Sequence, residues 1–514
     1  MNRGSALAVL LALAGALALR VPKLDTRPLH NDEAVNAVKV SELWQHGRYA
    51  YDPEEYHGPT LHYATLPFLW LSGARNADEL ADATLRLAPV VCGVGLILLL
   101  LLLADGLGRP AVAWAAIFTA ISPAMVFYSR YFIHEMLLLF FTALTLGAGW
   151  RYAQTRSARW AVLSGTGLGL MLATKETFVL TVAAMGLAAI ATVRWTAPQG
   201  ARIQRLLELW NWKHAALALS ATFLIWLLLF SSFFTHFAGL LDSVRAYFPW
   251  LKRAGGQSPH IHPWSFYLQR LAWFHPAKGP VWSEGLVLVL AAVGAIASIA
   301  GKKSPLHCFL AFYTVLLTTI YSAISYKTPW CLLSFFHGMI LLAGVGAAAL
   351  VEFFRARPLK VAVVAALVGL AAQLSWQAWR ASFVYSTDRR NPYVYAQTVP
   401  DLLNLVRTAE GLARVAPAGY ETIIKIIAPD SDYWPLPWYL RRFKHLGWYE
   451  KLPDDPYAPI IVVASKLDAR LDDKSDRKWI MTGLTELRPG KYFELYVELE
   501  LWKKYVETLP RERD

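Results

Sequence analysis

Eleven apolar runs of about membrane-spanning length leave few folds open to this chain. They fall at roughly 5–21, 84–104, 110–128, 133–150, 159–174, 177–193, 214–235, 284–300, 305–325, 330–351 and 358–378. About 20 residues of helix cross a bilayer, and inside it only helices and closed barrels satisfy their own backbone. The pair within 159–193 is on the short side. A twelfth run, Leu61–Leu71, contains His62 and Pro67 and fits an interfacial or re-entrant helix better than a span. With 514 residues, 56% of them hydrophobic, the chain is too apolar for one soluble domain. The expected fold is a polytopic α-helical membrane protein of about eleven transmembrane helices with a soluble domain at its C-terminal end.

Charge then orients the spans. The formal net charge is +13, yet residues 381–514 hold 20 basic and 20 acidic residues, so the whole surplus lies in residues 1–380. With Arg3 inside, the alternate short loops carry Arg109; Arg151, Arg156 and Arg159; Arg194, Arg202, Arg205 and Lys213; Lys302 and Lys303; and Arg355, Arg357 and Lys360. Only Asp105, Glu208 and Glu352 oppose them. Basic enrichment of this kind marks the cytoplasmic side, and it explains the high pI without nucleic acid. The first span is expected to stay uncleaved. The extracytoplasmic side receives the long loops 22–83 and 236–283 and an α/β domain over 381–514; residues 1–380 form the membrane domain. Cys92, Cys308 and Cys331 lie in or beside apolar runs without metal-like spacing and read as buried small hydrophobes.

Five polar clusters fall on that outer side. His30-Asn31-Asp32-Glu33 follows the first span and opens an amphipathic helix, with Asn31 as cap and the two acids in the first turn, where the helix dipole favours them. Tyr51–Leu61 turns at Gly58-Pro59 between His57 and His62. Three histidines (His30, His57 and His62) beside two carboxylates suggest a site. No metal-ligand spacing accompanies them, and a divalent cation, if any, would fall to Asp32 and Glu33. Tyr128–Glu135 places Arg130 and His134 at a membrane boundary and Glu135 at the lip of a very apolar helix, where a carboxylate faces a protein interior or a cavity. Thr174–Thr177 holds Lys175 and Glu176 in a tight turn near the headgroup plane, and an ammonium there suits a lipid phosphate. Lys327-Thr328-Pro329-Trp330 sets an aromatic ring beside a further lysine, which fits a prenyl-phosphate pocket; interface anchoring explains it equally.

The fifth cluster, Asp430–Arg442, follows an expected strand at 421–428, and its Asp432 and Trp434 occupy the position past a strand's carboxyl end where ligands often bind. A helix near 400–414 and strands at 459–464 and 492–501 complete the expected α/β domain. The loop 236–283 is long enough to form a lid. No glycine-rich phosphate loop is present for a soluble nucleotide donor.

Together, the N-terminal span, the acidic pair in a long first outer loop, the many spans and the trailing outer domain resemble the GT-C glycosyltransferases. The nearest group is glycosyltransferase 39, which includes dolichyl-phosphate-mannose–protein mannosyltransferases and lipid A aminoarabinose transferases. His30–Ala34, Tyr56–Thr60, Tyr128–Glu135, Thr174–Thr177, Lys327–Trp330 and Trp434–Arg441 are similar to a subfamily labelled flippase-activity-associated. Where the aminoarabinose transferases have Lys-Pro-Pro, this chain has His57-Gly58-Pro59. The resemblance implies inverting, mannosyltransferase-like transfer from a polyprenyl-phosphate sugar to an acceptor hydroxyl of a protein, lipid or glycan of the cell envelope. In that reading Asp32 is the general base, Glu33 supports it, and Arg130, Lys175 and Lys327 meet the donor phosphate. His30, His57, His62, Glu135, Glu176, Trp330, Asp432 and Trp434 would contact substrate. The alternatives are a flippase for lipid-linked sugars, which would place charge near mid-bilayer and show internal repeats, and a non-catalytic assembly partner.

Overall fold

The computed structural model describes residues 3–54, 57–202, 211–255, 260–301 and 304–510. Glu55, Tyr56, Arg205, Glu208, Lys302 and Lys303 lie outside them. All eleven expected spans are helical. Among the described residues eight helices are long and apolar enough to cross a membrane, and nine if a bent pair counts as one span. The remaining two are shorter, Gly285–Gly301 with 17 residues and Ala158–Leu172 with 15. The chain is a multi-pass membrane protein with a small sheet domain, and it divides into two compact units.

The first unit comprises Met1–Leu24, His46–Leu71 and Ala83–Tyr395. Its helices are terminated and bent by local chemistry. The bent pair, Arg109–Ile121 and Pro123–Ser129, meets at 56°. Proline has no N–H to donate and disfavours helical geometry at the residue before it, here Ser122, whose ψ is 126°. The break would strand polar groups in an apolar core. Ser122 instead accepts from Met125 N, and Glu284, fully buried, accepts from Ser122 Oγ and Ala124 N, both at 2.9 Å. Elsewhere packing depends on missing side chains. Helices Gly285–Gly301 and Leu333–Phe353 cross at Gly294 and Gly346, where an added Cβ would stand 2.0 Å from the carbonyl oxygens of Leu342 and Leu290 respectively. Close backbone approach through small residues is how helices associate where no hydrophobic force separates protein from lipid.

The second unit comprises Asp25–Gln45, Ser72–Asp82 and Ala396–Asp514. Its C-terminal stretch runs from Ala396, and it includes two stretches of the first loop that hydropathy alone assigns to the membrane part. Its sheet has five strands: β1 Ile424–Ile427, β2 Leu446–Tyr449, β3 Ile460–Ala464, β4 Trp479–Arg488 and β5 Lys491–Glu498, in the order β2-β1-β3-β5-β4. β1 pairs parallel with β2 and β3; β5 pairs antiparallel with β3 and β4. β3 is buried on both faces, with Ile460 and Val462 packed among the residues of helix Leu402–Val415, and Ile461 and Val463 against Leu471 and Tyr496. β1, β3 and β5 match the expected strands. β2 is a four-residue, half-buried edge, and β4 carries two irregularities that break its alternation, so neither has a clear period of two. Residues 499–501 begin a helix, Leu499–Glu507, in place of the expected strand end.

The glycine crossing makes a direct test. Gly294→Val forces a branched side chain onto a main-chain oxygen, and overpacking of this kind costs about 1–3 kcal/mol. The variant is expected to lose thermal stability in detergent, whereas Gly186→Ala, at a glycine with open space around it, is expected to hold the wild-type midpoint.

Candidate active site

The candidate residues gather in two clusters, one within each unit. In the second unit, helix Asn31–His46 begins directly after His30. Its start is closed by a reciprocal pair. His30 Nδ1 accepts from Asp32 N at 3.1 Å, and Glu33 Oε2 accepts from His30 N at 2.8 Å. This is the logic of a capping box, with an imidazole in the place of a serine. The cap is thus His30, not the expected Asn31, whose amide instead points at Asp32 Oδ1 at 3.4 Å.

The two acids part company here. Glu33 is fully buried, and its Oε1 accepts from Arg27 at 3.1 Å. Arg27 also donates to Gln397 Oε1, and Gln397 returns a hydrogen bond to Pro28 O. Asp32 keeps 46% of its side chain exposed. Both oxygens of Glu33 have protein partners, so the pair does not offer two open carboxylates to one cation. Among the described residues no group of three or more His, Cys, Asp or Glu is placed to hold a metal ion. Burial holds the His30 imidazole below its ordinary pKa of 6.5, against the opposing pull of the Asp32 and Glu33 charges.

The segment Trp434–Arg441 holds this loop in place. Trp438 Nε1 and Tyr439 OH donate to the two oxygens of Asp82 at 2.8 and 2.9 Å, and Tyr439 OH accepts from Leu29 N. Arg441 donates to Ala77 O and Leu80 O and stacks on Trp438 at 3.8 Å. Trp434 packs beside Tyr433. Asp432 lies past the end of β1 as expected, and protein cations surround it. It accepts from Lys466 after β3, Arg488 at the end of β4 and Lys491 at the start of β5, at 3.0, 3.2 and 2.6 Å. Partial burial raises its carboxyl pKa, but the hydrogen bonds and charges of these cations prevail and hold it below the usual carboxylate range. The Arg488 guanidinium lies within electrostatic range of Asp32 as well as Asp432.

In the first unit, the segment 57–60, which enters helix Thr60–Ser72, closes onto the turn at 173–176. Gly58 N donates to Thr174 O and Thr60 N to Ala173 O. Glycine is required at 58, because a Cβ there would meet Ala173 O at 2.1 Å. His57 Nδ1 donates to Glu176 Oε2 at 2.7 Å, and Tyr51 OH donates to Glu176 Oε1. Burial opposes the Glu176 charge, yet His57 outweighs it and keeps the carboxyl below its usual range. Lys175 forms a buried ion pair with Glu135, which holds its ammonium above the ordinary lysine value despite burial. His134 Nε2 donates to Gly58 O at 3.0 Å, and the rings of His57 and His62 both stand edge-on to it. Thus His57, His62, Glu135, Lys175 and Glu176 come together.

The three expected phosphate cations already have partners. Arg130 donates to the carbonyls of Arg20, Pro22 and Lys23, at 2.8, 2.8 and 3.0 Å, and covers Phe383. Lys327 Nζ donates to His262 O and Ile324 O. Trp330 packs against Tyr395, whose hydroxyl meets His260 and His262. Lys175 is neutralised by Glu135. Sequence reading missed Arg27, Asp82, Glu284, Gln397 and Arg488. Arg27 carried a usable signal, a cation six residues before Glu33; Asp82, Glu284 and Gln397 meet partners 160 to 370 residues away, and Arg488 meets Asp432 56 residues away.

Residues 62–241 match the family of dolichyl-phosphate-mannose–protein mannosyltransferases. No curated protein sequence matches the chain. Among solved structures, ArnT from Cupriavidus metallidurans bound to undecaprenyl phosphate superposes with a TM-score of 0.61 at 16% identity, over 96% of this chain and 98% of that one. The Archaeoglobus fulgidus oligosaccharyltransferase, tethered with an acceptor peptide, gives 0.57 at 12% identity over 87% of this chain and 64% of that one.

The contrast between the acids is measurable. Removing one partner of a buried ion pair costs about 3–5 kcal/mol, whereas an exposed substitution stays within about 0.5 kcal/mol. Glu33→Gln is expected to lower the unfolding midpoint sharply and Asp32→Asn to leave it in place. His30 adds a pH signature. Its folded pKa is depressed, so on acidification the unfolded chain takes the proton first. Stability is complete above about 6.5 and falls as pH drops below it. Unfolding midpoints between pH 7.5 and 5.5 are expected to decline less in His30→Asn, which keeps a capping oxygen; identical slopes would remove His30 from this role.

Proposed function

We propose that this chain is a glycosyltransferase of the GT-C kind, the reading that its family match and its fold support, and that it transfers a sugar from a polyprenyl-phosphate carrier to an acceptor hydroxyl on the extracytoplasmic face. The observation that carries the reading is the division within the acidic pair: Glu33 is locked into the fold and Asp32 stands half-exposed on a helix start that four separate contacts immobilise. A general base needs a free carboxylate held in a fixed place. That ArnT has been solved with undecaprenyl phosphate supports a lipid carrier of the same class here.

In this reading Asp32 accepts the acceptor's hydroxyl proton. The oxygen attacks the anomeric carbon, the bond from that carbon to the carrier phosphate breaks on the opposite side, and polyprenyl phosphate leaves with the electron pair. Configuration inverts, because the two bonds lie on opposite faces. His30 and Glu33 orient the base without touching substrate. Arg130 and Lys327, bound to main-chain oxygens, and Lys175, paired with Glu135, are assigned to holding the membrane boundary in shape.

Transfer of labelled sugar from polyprenyl-phosphate donors in proteoliposomes tests this. Loss of a general base typically costs about 10²–10⁴ in rate, so Asp32→Asn is expected to fall by that factor while folding normally. Wild-type turnover by that variant would overturn the assignment. Movement of lipid-linked sugar across the vesicle wall, with no covalent product from any donor, would replace the reading with a flippase.

A further inference from the structure

The loop that follows helix Trp212–Phe230 begins with an exposed apolar surface. That helix is strongly apolar beyond its first turn and buries only 6% of its spanning window within the protein, as a lipid-facing span does. Directly after it, Ser232, Phe233 and Phe234 all take positive φ, at 48°, 52° and 69°. Three consecutive non-glycine residues in the left-handed region are costly and persist only where the surroundings fix them. Here Phe234 N donates to Ser231 Oγ, while Ser232 Oγ accepts from Tyr49 N and meets Tyr63 OH. The turn leads into two short helices, Ala238–Arg245 and Tyr247–Ala254, separated only by Ala246.

These helices have two unlike faces. Gly239, Ser243 and Ala246 are buried. Ser243 Oγ accepts from Trp226 Nε1 at 3.0 Å, and a Cβ on Gly239 would strike Phe230 O. Tyr247 lies within electrostatic range of Glu176. Phe237, Leu241, Val244, Phe248 and Leu251 recur every three or four residues on the other side, each more than half exposed, and Phe233 and Phe234 extend the same surface. An apolar stripe of this size does not stay in water. Its charges are Arg245, Lys252 and Arg253 against Asp242 alone, which pairs with Arg245. Arg253 also reaches Glu54 O at 3.4 Å.

We propose that residues 233–253 lie flat in the membrane interface, with the apolar stripe among the lipid chains and Arg245, Lys252 and Arg253 against anionic phospholipid headgroups. The continuity of the stripe with a lipid-facing span fixes the depth, and the surplus of basic charge selects the headgroup. The proposal stands apart from the sugar-transfer reading and would hold for a flippase or a binding protein equally.

The experiment uses the full-length protein in nanodiscs of phosphatidylcholine with phosphatidylglycerol. A fluorophore is placed on Leu241→Cys, Val244→Cys or Phe248→Cys in a Cys92→Ser background, with Lys503→Cys as the control. These sites are exposed, so folding is preserved. Nitroxide-labelled lipid is expected to quench the three stripe sites several-fold more than the control, and a water-soluble quencher to do the reverse. Equal behaviour of all four sites overturns the proposal, as does loss of lipid quenching together with concentration-dependent crosslinking between copies. In the second arm, Lys252→Gln/Arg253→Gln is expected to lower the retained preference for phosphatidylglycerol over phosphatidylcholine about fivefold or more. An unchanged preference would refute the headgroup contact.

Discussion

The buried ion pair between Arg27 and Glu33 is the contact on which the acidic loop depends. A carboxylate with no exposed surface is tolerable only when charge and hydrogen bonds compensate its lost hydration. Glu33 obtains both, from Arg27 and from the His30 amide. Arg27 in turn is shared with Gln397, which ties residues 25–33 to the start of the C-terminal segment. Tyr439 repeats the device, bridging Leu29 N and Asp82. The sheet unit includes part of the first loop for this reason: single polar atoms with several partners close it.

The membrane unit follows another rule. At three of its breaks in helical geometry, a buried polar side chain takes up the released groups. Arg130 collects the last carbonyls of the first span and its exit. Glu284 serves the break at Ser122-Pro123, and Lys327 serves Ile324 and His262. Cations at a membrane boundary read from sequence as phosphate ligands; the carbonyls that Arg130 and Lys327 bind are not visible to a linear reading, which counts charges and cannot count orphan carbonyls.

That difference marks the limit of what sequence made legible. Period, length and charge bias located all eleven helical segments, since each signal is local. The three strands with clear apolar patterning were found, and the half-buried β2 and the irregular β4 were not. His57 and Glu176 were singled out, and they do meet, while the Gly58 turn closes onto Thr174. Asp432 was placed past β1, where it lies, but Lys466, Arg488 and Lys491 around it were not foreseen. These partners lie 34 to 59 residues away, and Gln397 lies 370 from Arg27. No spacing rule reaches that far in a single chain.

The order of the two acids follows from geometry. Successive helical residues project about 100° apart, so Glu33 facing inward turns Asp32 outward. The inward position is the third of the helix, and a side chain there must reach back one turn to the His30 amide while meeting Arg27. Glutamate has the length for both contacts, and aspartate is one methylene short. The outward position asks for the opposite. A carboxylate meant to stay in one place is best on a short side chain with few rotamers, its main-chain N–H already fixed by His30 Nδ1. Exchanging the two would leave a shortened acid in the interior and a flexible one at the surface. The sequence Asp-Glu, in that order, is therefore what a rigid helix start with one exposed carboxylate requires.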